Sequence, residues 1–159
     1  GLEPRTLTEE QAFKLQSQLR ILSGLYGVLL PHDLMQAYRV GVGTKQRVQR
    51  SADLYAFWKN NINTEVQEAI DESGSKVLIN LASNEYFKSI DKKKLGADIV
   101  TPEFKDWKNG QYKMISFWAK KARGMMTRFI LQNKITIGRY KMKQPISEKY
   151  NRFRPCREW

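Results

Sequence analysis

Residues 19–38 read LRILSGLYGVLLPHDLMQAY, and the fold turns on how this stretch is taken. An amphipathic run ends at Leu22. A glycine-spaced turn of Ser23, Gly24, Leu25, Tyr26 and Gly27 follows, and a second helical pattern opens at Pro31. Helix, G-x-x-G hairpin and helix is the order expected of an element that grips a nucleic-acid backbone. Glycines let main-chain N–H groups approach a phosphate, and the second helix offers the positive end of its dipole. The same residues admit a plainer account, in which Gly24 ends one helix, Pro31 starts the next, and the stretch is an ordinary joint.

The segment alone favours the plainer account, and the charge around it narrows the difference. The chain has 28 Lys and Arg against 16 Asp and Glu, a net +12 with a pI near 9.9. Such an excess attracts polyanions by counterion release, so nucleic acid is the first partner to consider, ahead of an acidic membrane surface. At 159 residues the chain is long enough for one domain with a real core. The lone Cys156 has no partner for a disulfide or a CxxC metal site, which fits a reducing cytoplasm. Residues 21–32 form the longest uncharged stretch, far below the roughly 20 residues of a spanning helix, so no membrane partner is expected. The opening GLEPRTLTEE has no apolar signal core and no Met, which reads as the start of a fragment.

Outward from the hairpin, Thr6-Leu7-Thr8-Glu9 offers a capping box, and Phe13, Leu15, Leu19 and Leu22 recur at helical spacing, predicting a helix over 8–22. A short helix over 31–39 would turn Leu34, Met35 and Tyr38 inward. Residues 40–52 form a wholly basic loop in which Gly41 and Gly43 break any helix. Its Lys45, Arg47 and Arg50 make it either a phosphate clamp or a solvated loop. Ser51 or Asp53 caps the next helix, whose Leu54, Phe57, Trp58, Ile62, Val66 and Ile70 read as core and which ends near Ser73-Gly74.

KVLINLA, residues 76–82, is a short apolar run bounded by turn signals and predicts a buried strand. It delivers Asn80, Ser83, Glu85 and Tyr86 into a polar turn before a helix over 84–90, and a solvated charge run follows at 91–94. Residues 97–105 and 111–117 alternate as strands, with Asn109-Gly110 as a hairpin signal between them. Residues 118–133 switch to helical period. Trp118, Ala122, Met125, Met126, Phe129 and Ile130 lie on one face, and Lys120, Lys121, Arg123 and Arg128 on or beside the other. With Lys134 this helix has five cations and no acid, whereas a merely solvated helix would mix signs. Residues 138–159 carry seven Lys and Arg against two Glu and read as a basic, loosely ordered tail.

No P-loop, G-x-S-x-G or HExxH is present. The single histidine, His32, leaves no multi-His metal site, so no cofactor and no direct metal ligation are expected. Asn80, Ser83, Glu85 and Tyr86 facing Lys120 and Arg123 could form a pocket for an anionic small molecule. The same residues suit helix capping and buried hydrogen bonding better. The residues favour a binding protein over an enzyme and leave the enzymatic alternative open.

LSGLYGVL-x-P-x-DLM-x-x-YR (22–39), the LYAFW of 54–58, INLASNEYFKSI (79–90) and FKDWKNGQYKMISFWAKKARGMMTRFI (104–130) are similar to the bacterial peroxide stress resistance protein YaaA family. The likeness covers nearly all of residues 2–136. It implies an unusual α/β fold of mixed α+β type, with a small mixed sheet flanked by helices and a helix–hairpin–helix-like element. It also implies cytoplasmic DNA binding, to double-stranded or structured DNA, through a positively charged cleft, and a link to hydrogen peroxide defence by limiting free intracellular iron. The resemblance maps the hairpin onto residues 23–28, with Ser23, Gly24, Tyr26 and Gly27 as its candidate DNA contacts, and the cleft onto Lys120, Lys121, Arg123 and Arg128. Lys45 and Arg47 of the basic loop are candidates on their charge alone. Residues 1–137 would be a family domain lacking its N-terminal part. Three departures stand out: Leu30 where the family has arginine, Gly41-Val42 where it has Glu-Met, and a divergent ending after Ile137.

Overall fold

The computed structural model describes residues 1–45, 47–108, 110–114 and 116–133. Lys134 and the expected tail at 138–159 lie outside them. Among the described residues the architecture is mixed α/β, with four α-helices and three two-stranded sheets. Two compact units divide the chain: Ala12–Val100, and Gly1–Gln11 with the described part of Thr101–Trp159.

Helix α1 spans Glu9–Gln18. Its capping box is reciprocal, because the Gln11 N–H donates to Thr8 Oγ1 at 3.3 Å and the Thr8 N–H donates to Gln11 Oε1 at 3.2 Å. The helix stops earlier than the expected residue 22. Ile21 and Leu22 pair instead with Leu29 and Val28, and Arg20 Nη1 donates to the Ser17 carbonyl at 3.1 Å, closing the C-terminus. Leu15 is buried while Phe13, expected beside it, is exposed.

The expected helix–turn–helix over 19–39 is corrected to a β-hairpin followed by irregular chain. Strands β1 (Ile21–Ser23) and β2 (Gly27–Leu29) pair antiparallel, and residues 31–39 contain no helix. Side chains satisfy the amide donors here, and one of them, the Gln36 N–H, is a donor that a helix over 31–39 would have used internally. Asp33 Oδ2 accepts the Leu30 N–H at 2.8 Å, Gln16 Oε1 accepts the His32 N–H at 2.9 Å, and the Tyr26 hydroxyl accepts the Gln36 N–H at 3.2 Å. Leu34, expected inward, is 100% exposed.

Helix α2 (Leu54–Ser73) matches its sequence signals. Asp53 Oδ1 accepts the Ala56 N–H at 2.8 Å, and Gly74 closes the helix at φ 63°. Its Ile62, Val66 and Ile70 form the core with Phe87, Ile90 and Leu95, and Leu22, Val28, Trp58, Leu78 and Ile99 pack against it. Truncating Ile62 to Ala there would cost about 2–5 kcal/mol. Strand β3 (Val77–Ile79) pairs in parallel with β4 (Asp98–Val100), which stops short of Pro102, a residue with no N–H for a ladder.

Between them lies α3 (Asn84–Phe87), followed by one 3-10 turn at Lys92–Lys94. The expected solvated run at 91–94 is anchored. Asn63, itself buried, exchanges two hydrogen bonds with the Asp91 backbone at 2.9 and 2.8 Å. A second hairpin joins β5 (Asp106–Lys108) to β6 (Gln111–Lys113). The strand expected at 97–105 is therefore not its partner, because the register sets Lys108 opposite Gln111. Helix α4 spans Ser116–Gln132.

Candidate nucleic-acid interface

The glycines of the β1–β2 turn are explained by the chain's own packing. A Cβ on Gly24 would sit 2.5 Å from the Val40 carbonyl oxygen, and one on Gly27 would sit 2.8 Å from the Trp58 ring. Gly27 also has φ 76°, which favours glycine. Trp58 Nε1–H donates to the Gly24 carbonyl at 2.9 Å. Ser23 Oγ accepts the Tyr26 N–H at 2.9 Å and lies 2.6 Å from the Tyr38 hydroxyl. Tyr26 and Tyr38 meet edge to face at 5.5 Å. Ser23, Gly24 and Gly27 are thus buried, and Tyr26 is half-buried.

The basic loop is held at one end and open at the other. Val42 is buried, and the Gly43 N–H donates to Glu85 Oε1 at 3.2 Å. A Cβ on Gly41 or Gly43 would approach that oxygen to 3.0 Å, so the two glycines let the loop close on Glu85. Lys45, Arg47 and Arg50 are exposed, and none forms an ion pair with another described residue.

The polar residues at the end of β3 divide in role. Asn80 is buried, with Oδ1 accepting the Ala82 N–H at 3.0 Å and its own N–H donating to the Val100 carbonyl at 2.8 Å. Ser83 caps α3. Both therefore build the turn. Glu85 and Tyr86 instead join Tyr38 and Tyr55 in a cluster that local pattern does not reveal. The Tyr55 hydroxyl donates to the Glu85 carbonyl at 3.0 Å. Burial, then Tyr38, Glu85 and Tyr55, push the Tyr86 phenol above its ordinary 10.0. Burial, then Glu85 and Asp53, do the same for Tyr55. The phenols stay protonated donors at neutral pH. No sequence signal marks the group, because Tyr38, Tyr55 and the adjacent Glu85 and Tyr86 lie 17 to 48 residues apart.

Lys120 and Arg123, the other residues assigned to the polar pocket, belong to the second unit. On α4, Ala119, Ala122, Met126 and Leu131 are buried, whereas Trp118 is turned outward. The inner face is therefore rotated slightly from the expected stripe. Lys120 and Lys121 are exposed. Arg123 is half-buried, and its Nε is buried without a hydrogen-bond partner among the described residues.

Arg128 has a different role. Its Nη1 donates to the Leu2 carbonyl at 3.0 Å, the Glu3 carbonyl at 3.2 Å and Thr6 Oγ1 at 2.7 Å, and Nη2 donates to the Thr6 carbonyl at 3.3 Å. It clamps the N-terminal turn Pro4–Thr6 onto the helix, beside Gly124, where a Cβ would lie 2.7 Å from the Leu2 nitrogen. Among the described residues no group of three His, Cys, Asp or Glu is placed to hold a metal, and no helix is long and apolar enough to cross a membrane.

A family model described as peroxide stress protein YaaA matches residues 1–153. A UPF0246 protein of Pseudoalteromonas translucida is 57% identical over 136 residues, covering 86% of this chain and 52% of the relative. UPF0246 proteins of Shewanella loihica and Hahella chejuensis are 56% and 53% identical, over 86% and 85% of this chain and 53% of each relative. The chain spans about half the length of the curated relatives it matches.

Proposed function

This chain belongs to the peroxide stress protein YaaA family, and from that premise we propose that it binds DNA in the peroxide stress response, in the cytoplasm. It holds phosphates on the outer face of α4 and on the basic loop after Gly43. The observation that carries the reading is one of sign. From Trp107 to Asn133 the chain has six Lys and Arg and no acid, and Lys120 and Lys121 stand exposed within that stretch. Side chains of this kind read charge rather than base edges, so affinity should depend on salt far more than on sequence. The hairpin glycines contribute less than the sequence suggests, because their close approaches are to Val40 and Trp58. On this reading, limitation of free iron is a consequence of nucleic-acid binding, not of ligation by this chain.

The test is a duplex titration across salt. Lys120→Gln with Lys121→Gln should flatten the slope of log affinity against log salt by about 2, close to one per phosphate released. A salt-independent affinity, or a slope unchanged by the pair, refutes the reading. A second reading, binding of a small molecule, is supported by the phenols of Tyr38, Tyr55 and Tyr86 around Glu85. Co-purified ligand lost on Tyr86→Phe would favour it.

A further inference from the structure

The strands β5 and β6 display an aromatic pair to solvent. Trp107 and Tyr112 are directly opposite in the register, meet edge to face at 4.8 Å, and are 60% and 57% exposed. Immediately downstream Phe117, 70% exposed, meets Trp118 edge to face at 5.4 Å, and Met114 between the two pairs is also exposed. Two T-shaped aromatic pairs in twelve residues interleave with the exposed Lys113, Lys120 and Lys121, in the stretch that lacks any acid. One cross-strand aromatic pair helps a hairpin to hold its register. A hairpin does not need a second pair beyond the strand, nor lysines of one sign around both.

We propose that the β5–β6 hairpin is a base-stacking platform, on which Trp107 and Tyr112 take unpaired bases while the exposed α4 lysines Lys120 and Lys121 hold the flanking phosphates. The inference rests on the nucleic-acid reading and deepens it by naming the strand form preferred. Charge complementarity selects this occupant. Across residues 106–133 six Lys and Arg stand against a single acid, Asp106, which is opposite Lys113 in the register. A base offers a π-face to the ring, and the exposed Lys120 and Lys121 supply cations for its phosphates. That combination of aromatic faces and basic groove is what sequence-tolerant single-strand binding uses. A fully paired duplex hides its base faces and can use only the lysines.

Anisotropy titrations at fixed salt with a labelled thymidine oligonucleotide and a duplex of equal length decide the point. The 159-residue chain should bind the single strand more tightly. Trp107→Ala with Tyr112→Ala should lower single-strand affinity about tenfold or more and leave duplex affinity nearly unchanged. Trp107→Phe, which keeps a ring, should retain most of the affinity. Trp107→Leu, which keeps apolar area without a π-face, should lose it. That pair decides the matter even if the double alanine variant is poorly folded.

Leu binding as well as Phe overturns the proposal, as does an equal loss for both strand forms. Conversion of a sedimenting dimer to monomer by the double variant also overturns it, assigning the face to a second copy of the chain. Duplex binding without single-strand preference refutes the platform and leaves the phosphate reading intact. Binding to neither form refutes the phosphate reading itself.

Discussion

The hairpins β1–β2 and β5–β6 are built alike and used oppositely. Each pairs two three-residue strands antiparallel, and each turn has a glycine at nearly the same backbone angle, Gly27 at φ 76° and Gly110 at φ 74°. Around Gly27 the space is full, with the Trp58 ring at 2.8 Å from a would-be Cβ. Around Gly110 nothing lies within 4 Å. The first hairpin turns Ser23 and Leu29 inward and rests on α2 and its core. The second turns Trp107 and Tyr112 outward. Turn chemistry is thus written locally and states only that the chain reverses. Whether the reversal becomes a core element or a displayed surface depends on what packs against it.

The largest test of this contrast is Gly27→Ala against Gly110→Ala. Both incur a left-handed strain of about 1–2 kcal/mol, but only Gly27 adds overpacking of about 1–3 kcal/mol against Trp58. Urea unfolding should show Gly27→Ala to be the more destabilised variant by at least the overpacking term. Equal losses would break the comparison. Trp58→Phe comes next, since it strips the Gly24 carbonyl of its donor, and an unsatisfied buried carbonyl costs about 1–3 kcal/mol. The same measurement should record that loss with no matching change in salt-dependent DNA affinity.

Within α4 a similar contrast separates cations that look alike in sequence. Arg128→Gln should destabilise by about 1.5–3 kcal/mol through the lost N-terminal clamp. Lys120→Gln should stay within about 0.5 kcal/mol, as exposed charges do. Thermal melts of the two check this, and equal shifts would erase the distinction.

The smallest effect concerns the phenols. Their folded pKa values lie above 10.0, so the neutral state favours the fold. Their contribution is complete below pH 10 and is lost as pH rises through the raised folded values. Melting temperature should therefore fall above pH 10. Tyr86→Phe should blunt that fall without altering stability at neutral pH by more than its hydroxyl contacts.

Much was legible in the chain alone where cause and effect are neighbours in sequence. Asp53 and Gly74 mark the ends of α2, and the hairpin expected beside Gly110 joins β5 to β6, because caps and turns are satisfied within four residues. The capping box expected at Thr6 and Glu9 forms instead between Thr8 and Gln11. The one-signed stretch leading into α4, and the likeness to a peroxide stress family, were also written there.

Tertiary structure alone decided the rest. Residues 31–39 carry a helical apolar pattern but form no helix, and the Tyr26 hydroxyl takes the Gln36 amide that a helix would have bonded to the His32 carbonyl. Gly24 and Gly27 looked poised for a phosphate, and it is Val40 and Trp58 that occupy the approach. Arg128 looked like one more cation of a binding face until the N-terminal turn closed over it. In each case a hydrogen bond or a van der Waals contact from far along the chain took a group whose local pattern had left it free, and only folding brings such partners within reach.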